Sequence, residues 1–479
     1  MCEMTGNRIS RRGFLGEVAA ALGGMALPFD LFATDGRPLL KLGVLSDIHI
    51  GARKEAPTYL ENALRWLSDR GVEAVLSPGD VAHNGYVSQM EEFAAIWSRV
   101  FPGGRAGDGR KVELMISTGN HDAWDHKLNT PPGDWRKGDV IRYPERVWEE
   151  LFDQRWDPVW RREVNGLTFV GSQWPTLKPD FEGFMARHGR EFDPKLPFFH
   201  CQHEHPRGTC HGEYGGCGQD KGQAGRALSA HPNAVVFSGH SHCSLVDERA
   251  VWQGAFTSIG SGCLHEGGLS FSHENCSAFW HPCYRKRLMR PLNDPEAWGG
   301  DREGGCFLFV EVYADHLVLH RRSALFDLPM GPDWVVPVPA RPGGPFDFKL
   351  RAAQRCAPEF PAEAAVAVRL CPQGHELEGI GRRGEPCIHV SFPAAKPVRG
   401  CRVFDYSVVV KSRGKYLKGF RIFAAGGVLP EEKSDRPGEC LVALGDLPAG
   451  QDVTVAVIPR ECFGLAGRPI ESRPLTLPV

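Results

Sequence analysis

Apolar runs that end in loops of Asp, Asn and His recur five times between Asp47 and His242, and this repetition constrains the fold of the 479-residue chain more than any other feature. The runs at 42–45, 72–76 and 112–116 are separated by stretches of helical periodicity, one with Leu60, Leu64 and Leu67 on a single face, the other over 87–100. Short apolar runs alternating with amphipathic helices are the pattern of a βαβ sheet. Further strand-like runs fall at 196–199, 234–237 and 255–259, and a hairpin is expected over 306–321. In an open α/β sheet, ligands bind outside the carboxyl ends of the strands, so the residues that follow each run are the ones to inspect.

Those residues carry metal-binding chemistry. The first run ends in Ser46, Asp47, Ile48, His49, where a carboxylate and an imidazole two residues apart can reach one cation from the same loop. The second ends in Pro78, Gly79, Asp80: Gly permits close backbone approach, and a carboxylate can bridge two metals through its two oxygens. The third ends in Gly119, Asn120, His121, Asp122, an amide oxygen beside an imidazole and a second carboxylate. The fourth leads into Cys201, Gln202, His203 and the fifth into Gly239, His240, Ser241, His242, whose imidazoles can serve neighbouring metals. Any one of these words can be structural, with Asp80 a turn former or His240 a satisfied loop histidine. Five in order, all after strands and all supplying hard or borderline donors, point to a metal centre.

The ordered pattern DxH, GD, GNHD, a strand-end His and GHxH resembles the calcineurin-like metallophosphoesterase superfamily over about residues 40–322. The resemblance implies a phosphodiesterase or phosphomonoesterase. One metal would be held by Asp47, His49 and His242, the other by Asn120, His203 and His240, with Asp80 bridging. It also implies hydroxide activated between two cations about 3.5–4 Å apart. His121 would face the substrate and assist the leaving group, with Asp122 the adjacent carboxylate able to favour its charged form. The chain departs from the pattern twice. Members with a GDxxDRG loop orient their catalytic His with its second Asp, whereas this loop reads Gly79, Asp80, Val81, Ala82, His83, Asn84, Gly85. The strand-end motif reads His203, Glu204, His205, Pro206, with His200 nearby, which leaves three candidates for one ligand; His203 follows the strand directly. Mixed N and O donors without thiolate suit Mn, Fe, Zn or Co over Mg or Ca, and Cys243, beside His242, reads as a structural thiol.

The expected fold class is therefore α/β, an α+β sandwich of mixed sheets flanked by helices, with a small all-β sandwich after it. The catalytic unit is expected over 37–327, a Pro-rich linker over 328–345 and the β-sandwich over 346–479. The last stretch has alternating runs such as 406–410 and 453–458 and no convincing helix, and it resembles a fibronectin type III or immunoglobulin-like domain. Residues 125–195, rich in Trp, Arg, Pro and Asp, read as a structural insertion with a helix near 143–153 and a hairpin at Asn165 and Gly166. Residues 1–36 contain Ser10, Arg11, Arg12, Gly13, Phe14, Leu15 before a mildly apolar stretch, and resemble a twin-arginine export signal, so a periplasmic or extracellular destination is expected. No later run has the roughly 20 apolar residues of a membrane helix.

Composition narrows the partners. With 56 Lys and Arg against 58 Asp and Glu, no overall field favours nucleic acid, and a nuclease would want a basic stripe with aromatics. The expected substrate is a phosphoester small molecule or headgroup. A different class, a secreted binding module whose β-sandwich recognises a carbohydrate or surface partner, leaves the five intact donor motifs without a purpose. The 15 Cys form no repeated CxxC pair, and the close trio Cys201, Cys210 and Cys217 reads as buried free thiols.

Overall fold

The computed structural model describes residues 36–122, 143–175, 180–210, 220–265, 305–377, 380–381 and 384–479. The export-like Arg11 and Arg12, and Cys217, lie outside them. The chain begins with β1 (Leu40–Val44), α1 (Ala56–Asp69), β2 (Ala74–Ser77), α2 (Val87–Val100) and β3 (Glu113–Ile116). After α3 (Tyr143–Phe152) come β4 (Val159–Val164), β5 (Leu167–Ser172), α4 (Phe181–His188), β6 (Phe198–Cys201), α5 (Gln223–Leu228) and β7 (Ala234–Ser238). Strands β8 (Val251–Gln253), β9 (Thr257–Gly260), β10 (Cys306–Val312), β11 (His316–Ser323) and β12 (Trp334–Pro337) complete two six-stranded sheets.

The first sheet runs β12-β11-β10-β1-β2-β3 and the second β4-β5-β6-β7-β9-β8. Strands β1, β2 and β3 are parallel, as are β5, β6, β7 and β9, while β10 to β12 and the edge strands β4 and β8 pair antiparallel. Parallel strands buried on both faces need unbroken apolar sequence. Leu42, Val44 and Leu76 of the first sheet meet Phe169, Phe199, Val235 and Phe237 of the second in one core. On the outer face of the first sheet, Leu60, Leu64, Leu67, Phe93 and Trp148 bring α1, α2 and α3 down on Val75, Ile116 and Phe307. Phe181, Met185 and Leu228 do the same for α4 and α5 over Val170, Phe198 and Val236. The result is a helix–sheet–sheet–helix sandwich, the α+β sandwich of mixed sheets expected from the sequence, in which each buried Leu or Phe contributes about 1.5–3 kcal/mol.

Two sequence expectations need correction. Residues 143–172 are not an insertion: β4 and β5 are strands of the second sheet, β5 pairs β6, and Trp160, Leu167 and Phe169 lie in the central core. Their hairpin turns through Asn165 and Gly166, both at positive φ, as a type I′ turn requires. Residues 328–345 are not purely a connection either, because Trp334–Pro337 forms β12, an edge strand on which the prolines can be tolerated.

Beyond β12, a short helix α6 (Phe348–Ala353) starts where Asp347 accepts from the Lys349 and Leu350 amides, a cap that makes a helix where none was expected. The remaining strands are β13 (Ala367–Cys371), β14 (Glu376–Leu377), β15 (Ile380–Gly381), β16 (Cys387–Phe392), β17 (Asp405–Ser412), β18 (Lys415–Phe423), β19 (Gly438–Ala443), β20 (Asp452–Arg460), β21 (Ile470–Glu471) and β22 (Leu475–Thr476). Sheet β13-β16-β19 packs on sheet β18-β17-β20-β21 through Ile388, Val390, Val408, Val410, Val442, Val455 and Val457, an all-β sandwich with its own core. No helix among the described residues is long and apolar enough to cross a membrane.

Candidate metal centre

The parallel strands of both sheets end along one crevice, and each end delivers a polar residue into it. Asp47 and His49 follow β1, Asp80 follows β2, Asn120 follows β3, His203 follows β6, and His240 and His242 follow β7. The loops are locked together by main chain: Asp47 N donates to Gly79 O, His49 N to Asp80 O, and Gly239 N to His203 O. Three motif glycines permit this approach. A Cβ on Gly79 would stand 2.5 Å from Gly119 N, one on Gly119 2.1 Å from Asp80 Oδ1, and one on Gly239 2.3 Å from Asp47 Oδ2.

Among the described residues the donor atoms form three groups, one of His49, His83 and His121 and two that share Asp80. Of these two, the first comprises Asp47, His49, Asp80 and His242, the second Asp80, His203 and His240. In the first, His242 Nε2 lies 3.0 Å from Asp47 Oδ1 and 3.1 Å from His49 Nε2. In the second, His203 Nε2 lies 3.0 Å from Asn120 Oδ1. Asp80 Oδ2 stands between them, 3.7 Å from His49 Nε2 and 3.1 Å from His203 Nε2. It is buried, with one imidazole of each group within 3.7 Å. All seven sequence candidates are thus brought together, six of them buried and Asn120 half-buried.

Backbone strain marks the same residues. Asp47, His49, Asp80, His240 and His242 all have φ between 50° and 66°, left-handed values that side chains other than Gly adopt at a cost of roughly 1–3 kcal/mol each. Asp and His tolerate this region better than branched residues, and functional sites are where such strain is retained.

The electrostatics suit cations. His203 Nδ1 donates to Pro78 O at 3.1 Å, which turns its Nε2 towards two acceptors, Asn120 Oδ1 and Asp80 Oδ2. Burial alone would lower His203, but the Asp80, Asp47 and Glu204 carboxylates outweigh it and push it up to about 10. A site that draws a proton this strongly is one in which a metal ion can take the proton's place. Burial and the neighbouring His203 push His240 down to about 4. Burial, then the surrounding His121, His242, His265 and His83, hold His49 well below its usual value. Both are therefore the neutral imidazoles that metal ligation needs. Burial by itself would raise Asp80, yet the adjacent His203, His121 and His240 keep it below the ordinary carboxylate range.

Of the three strand-end histidines, only His203 enters a donor group among the described residues. His200 stacks on Phe181 and bonds with Val170 O and Gln202 Oε1, and His205 Nε2 lies 2.8 Å from Ser241 Oγ. Asp122 is a correction. Its Oδ1 accepts from Ala82 N, and its Oδ2 accepts from Asp80 N and Gly119 N, so it pins the second and third loops to each other rather than orienting the His121 imidazole. Burial and the Asp80 charge push it up to about 7, against the pull of the Gly119 and Ala82 amides. His121 is oriented instead by a carbonyl, its Nδ1 donating to His83 O at 2.7 Å. Its ring meets that of His49 edge-on with centroids 4.5 Å apart.

Two histidines escaped sequence reasoning. His83 is half-buried against His49 and His121; the only signal was the place where the loop departs from GDxxDRG. His265 lies beyond the last motif, where β9 ends: its N donates to Asp47 O, and its ring centroid is 5.3 Å from that of His49.

Residues 40–244 match the family model described as Calcineurin-like phosphoesterase. Among solved structures the chain is similar to a dimetal phosphatase from Danio rerio, with 10% identity and a TM-score of 0.37 over 63% of this chain and 99% of that one. It is also similar to a purple acid phosphatase from yellow lupin (Lupinus luteus) seeds, with 12% identity and a TM-score of 0.40 over 68% of this chain and 57% of that one. A predicted phosphoesterase from Streptococcus pneumoniae is similar at 11% identity and a TM-score of 0.26, over 62% of this chain and 97% of that one. No curated protein matches the sequence.

Proposed function

We propose that residues 40–244, which match the family model described as Calcineurin-like phosphoesterase, form a unit that hydrolyses phosphoesters with two bound metal ions. The observation that carries this reading is the convergence of two donor groups on one buried carboxylate, Asp80, whose Oδ2 lies 3.7 Å from His49 Nε2 and 3.1 Å from His203 Nε2. Asp47, His49 and His242 would hold one ion and Asn120, His203 and His240 the other, with Asp80 shared. The oxygen and imidazole donors without thiolate fit Mn, Fe or Zn. When bound, two such ions supply positive charge against the phosphoryl oxygens and make a nearby water more acidic.

The chain's own residues do the rest. Pro78 O holds His203 with its Nε2 aimed at the shared carboxylate, and the three amides on Asp122 fix the loops that carry Asp80 and Asn120. With His121 Nδ1 committed to His83 O, Nε2 is the ring nitrogen that can hand a proton to a departing alkoxide. The substrate class this supports is a small phosphoester or a phosphorylated headgroup, because the chain's near-balanced charge offers no polyanion field.

Purified protein assayed with Mn, Zn and Fe against nitrophenyl phosphate mono- and diesters is expected to hydrolyse at least one of the two, to lose activity on chelation and to regain it with metal. No hydrolysis of either ester with any of the metals would overturn the reading. Two further proposals rest on sequence. Arg11 and Arg12 support export by a twin-arginine route, so replacing both by Lys should leave precursor in the cytoplasm, and unchanged export would reject that route. The fibronectin III or immunoglobulin-like reading of residues 346–479 is supported by their two packed antiparallel sheets; strand pairing measured by NMR that differs from β13-β16-β19 and β18-β17-β20 would reject it.

A further inference from the structure

We infer that His83 is a positioning residue that ties the proposed metal ligand His49 to the proposed acid His121, holding the first with its ring and the second with its carbonyl. The inference rests on the phosphoesterase reading above and deepens it.

The backbone of His83 is set by the same loop that carries His49, because His83 N donates to Ile50 O at 3.0 Å. The chain then presses across the His121–Asp122 segment. Gly85 makes this possible at φ 71°, since a Cβ there would stand 2.6 Å from Asp122 O and 3.1 Å from His121 O. Held from both sides, the His83 carbonyl receives the Nδ1 proton of His121 at 2.7 Å.

The His83 side chain works in the other direction. Its Nδ1 lies 3.3 Å from His49 Nδ1. The opposite nitrogen of His49, Nε2, is the one that faces His242 Nε2 and Asp80 Oδ2, so the ring proton of His49 belongs on Nδ1, where it donates to the Nδ1 lone pair of His83. An imidazole that ligates through one nitrogen is fixed in tautomer and direction by the partner of the other, and loss of such a partner typically costs 10–100-fold in metal affinity. The His83 ring is itself braced by stacking on His121, with centroids 5.1 Å apart and planes 23° from parallel. One residue therefore touches both, and the ring and the carbonyl can be separated by mutation because only the ring is removed.

The test compares His83→Ala, His83→Phe and His83→Asn in the full chain, each checked for folding by its apo melting temperature. The probe is Mn²⁺, titrated calorimetrically. His83→Phe keeps a ring against His121 but offers no acceptor, and it should bind one Mn²⁺ roughly 10–100-fold more weakly while the other is held as in wild type. His83→Ala should do the same. His83→Asn places an acceptor near the position of Nδ1 and should recover most of the loss. The carbonyl survives in all three, so the dependence of rate on leaving-group acidity should match wild type. His83→Phe binding two Mn²⁺ with wild-type affinity overturns the proposal, as does a loss that His83→Asn fails to recover. A changed leaving-group dependence with unchanged Mn²⁺ binding overturns it too, by assigning the ring to the acid. Wild-type protein that binds two Mn²⁺ yet hydrolyses no ester sinks the phosphoesterase reading alone, and wild-type protein that binds none sinks both.

Discussion

Two buried histidines with ring centroids 4.5 Å apart, His49 and His121, differ in their hydrogen bonds, and opposite roles are proposed for them. His49 directs Nε2 into a donor group, whereas His121 enters neither shared-carboxylate group and spends Nδ1 on a carbonyl. His121→Ala should accordingly retain both metals while turnover falls roughly 10²- to 10⁴-fold. The loss should shrink for a nitrophenolate leaving group, which departs without a proton. Metal content and rates with acidic and basic leaving groups measure this; stripped metal, or equal slowing of both substrates, would reassign the residue. The sequence made the ligand types readable because Asp, Asn and His after apolar strands have few other reasons to recur. It could not reveal which way a side chain turns. Asp122 sits next to His121 in the chain yet faces the Asp80, Ala82 and Gly119 amides, and the left-handed φ of Asp47 and His242 has no signature in residue type.

At the scale of elements, the loop after β7 matters most, because it carries His240 and His242 and then packs against the C-terminal region before entering β8. Ser244 Oγ donates to Val428 O, and Cys243 is buried with Phe404 and Cys462. Arg249, paired with Asp247, lies over the Phe404 ring at 4.8 Å. Glu248 meets Arg351 and Arg355, and Arg355 continues to the buried Glu461. Phe404→Ala would empty that contact at a cost of about 3–5 kcal/mol. It should also weaken Mn²⁺ binding several-fold in protein that remains folded, as read by calorimetry below the melting temperature. Unaltered affinity in a destabilised variant would show the sandwich to be a passive neighbour of the loop. This coupling was invisible in sequence, since Phe404 and Cys243 are joined only by the packing of two cores. The strands themselves were legible where apolar runs were long, as at β1 and β7. The β4–β5 hairpin was expected but not its place in the second sheet, because its polar alternation reads as a surface insertion, and β12 was missed where prolines mimicked a linker.

The whole molecule is a four-layer sandwich whose two sheets meet with their parallel strand ends along one crevice, followed by a β-sandwich that grips one wall of it. That arrangement explains why donor residues scattered from Asp47 to His242 converge, and why no single motif would suffice: each sheet supplies part of each donor group that shares Asp80. The proposed sharing of Asp80 by two metal ions is tested by counting metal per folded chain in wild type and Asp80→Ala after loading with Mn²⁺ and removing excess. Removal of the shared carboxylate leaves two cations repelling across a short gap with less negative charge between them. Wild type should hold two ions and hydrolyse a nitrophenyl ester, and Asp80→Ala should hold at most one with hydrolysis lost in parallel. An Asp80→Ala protein that retains both ions and its activity would contradict the two-metal centre.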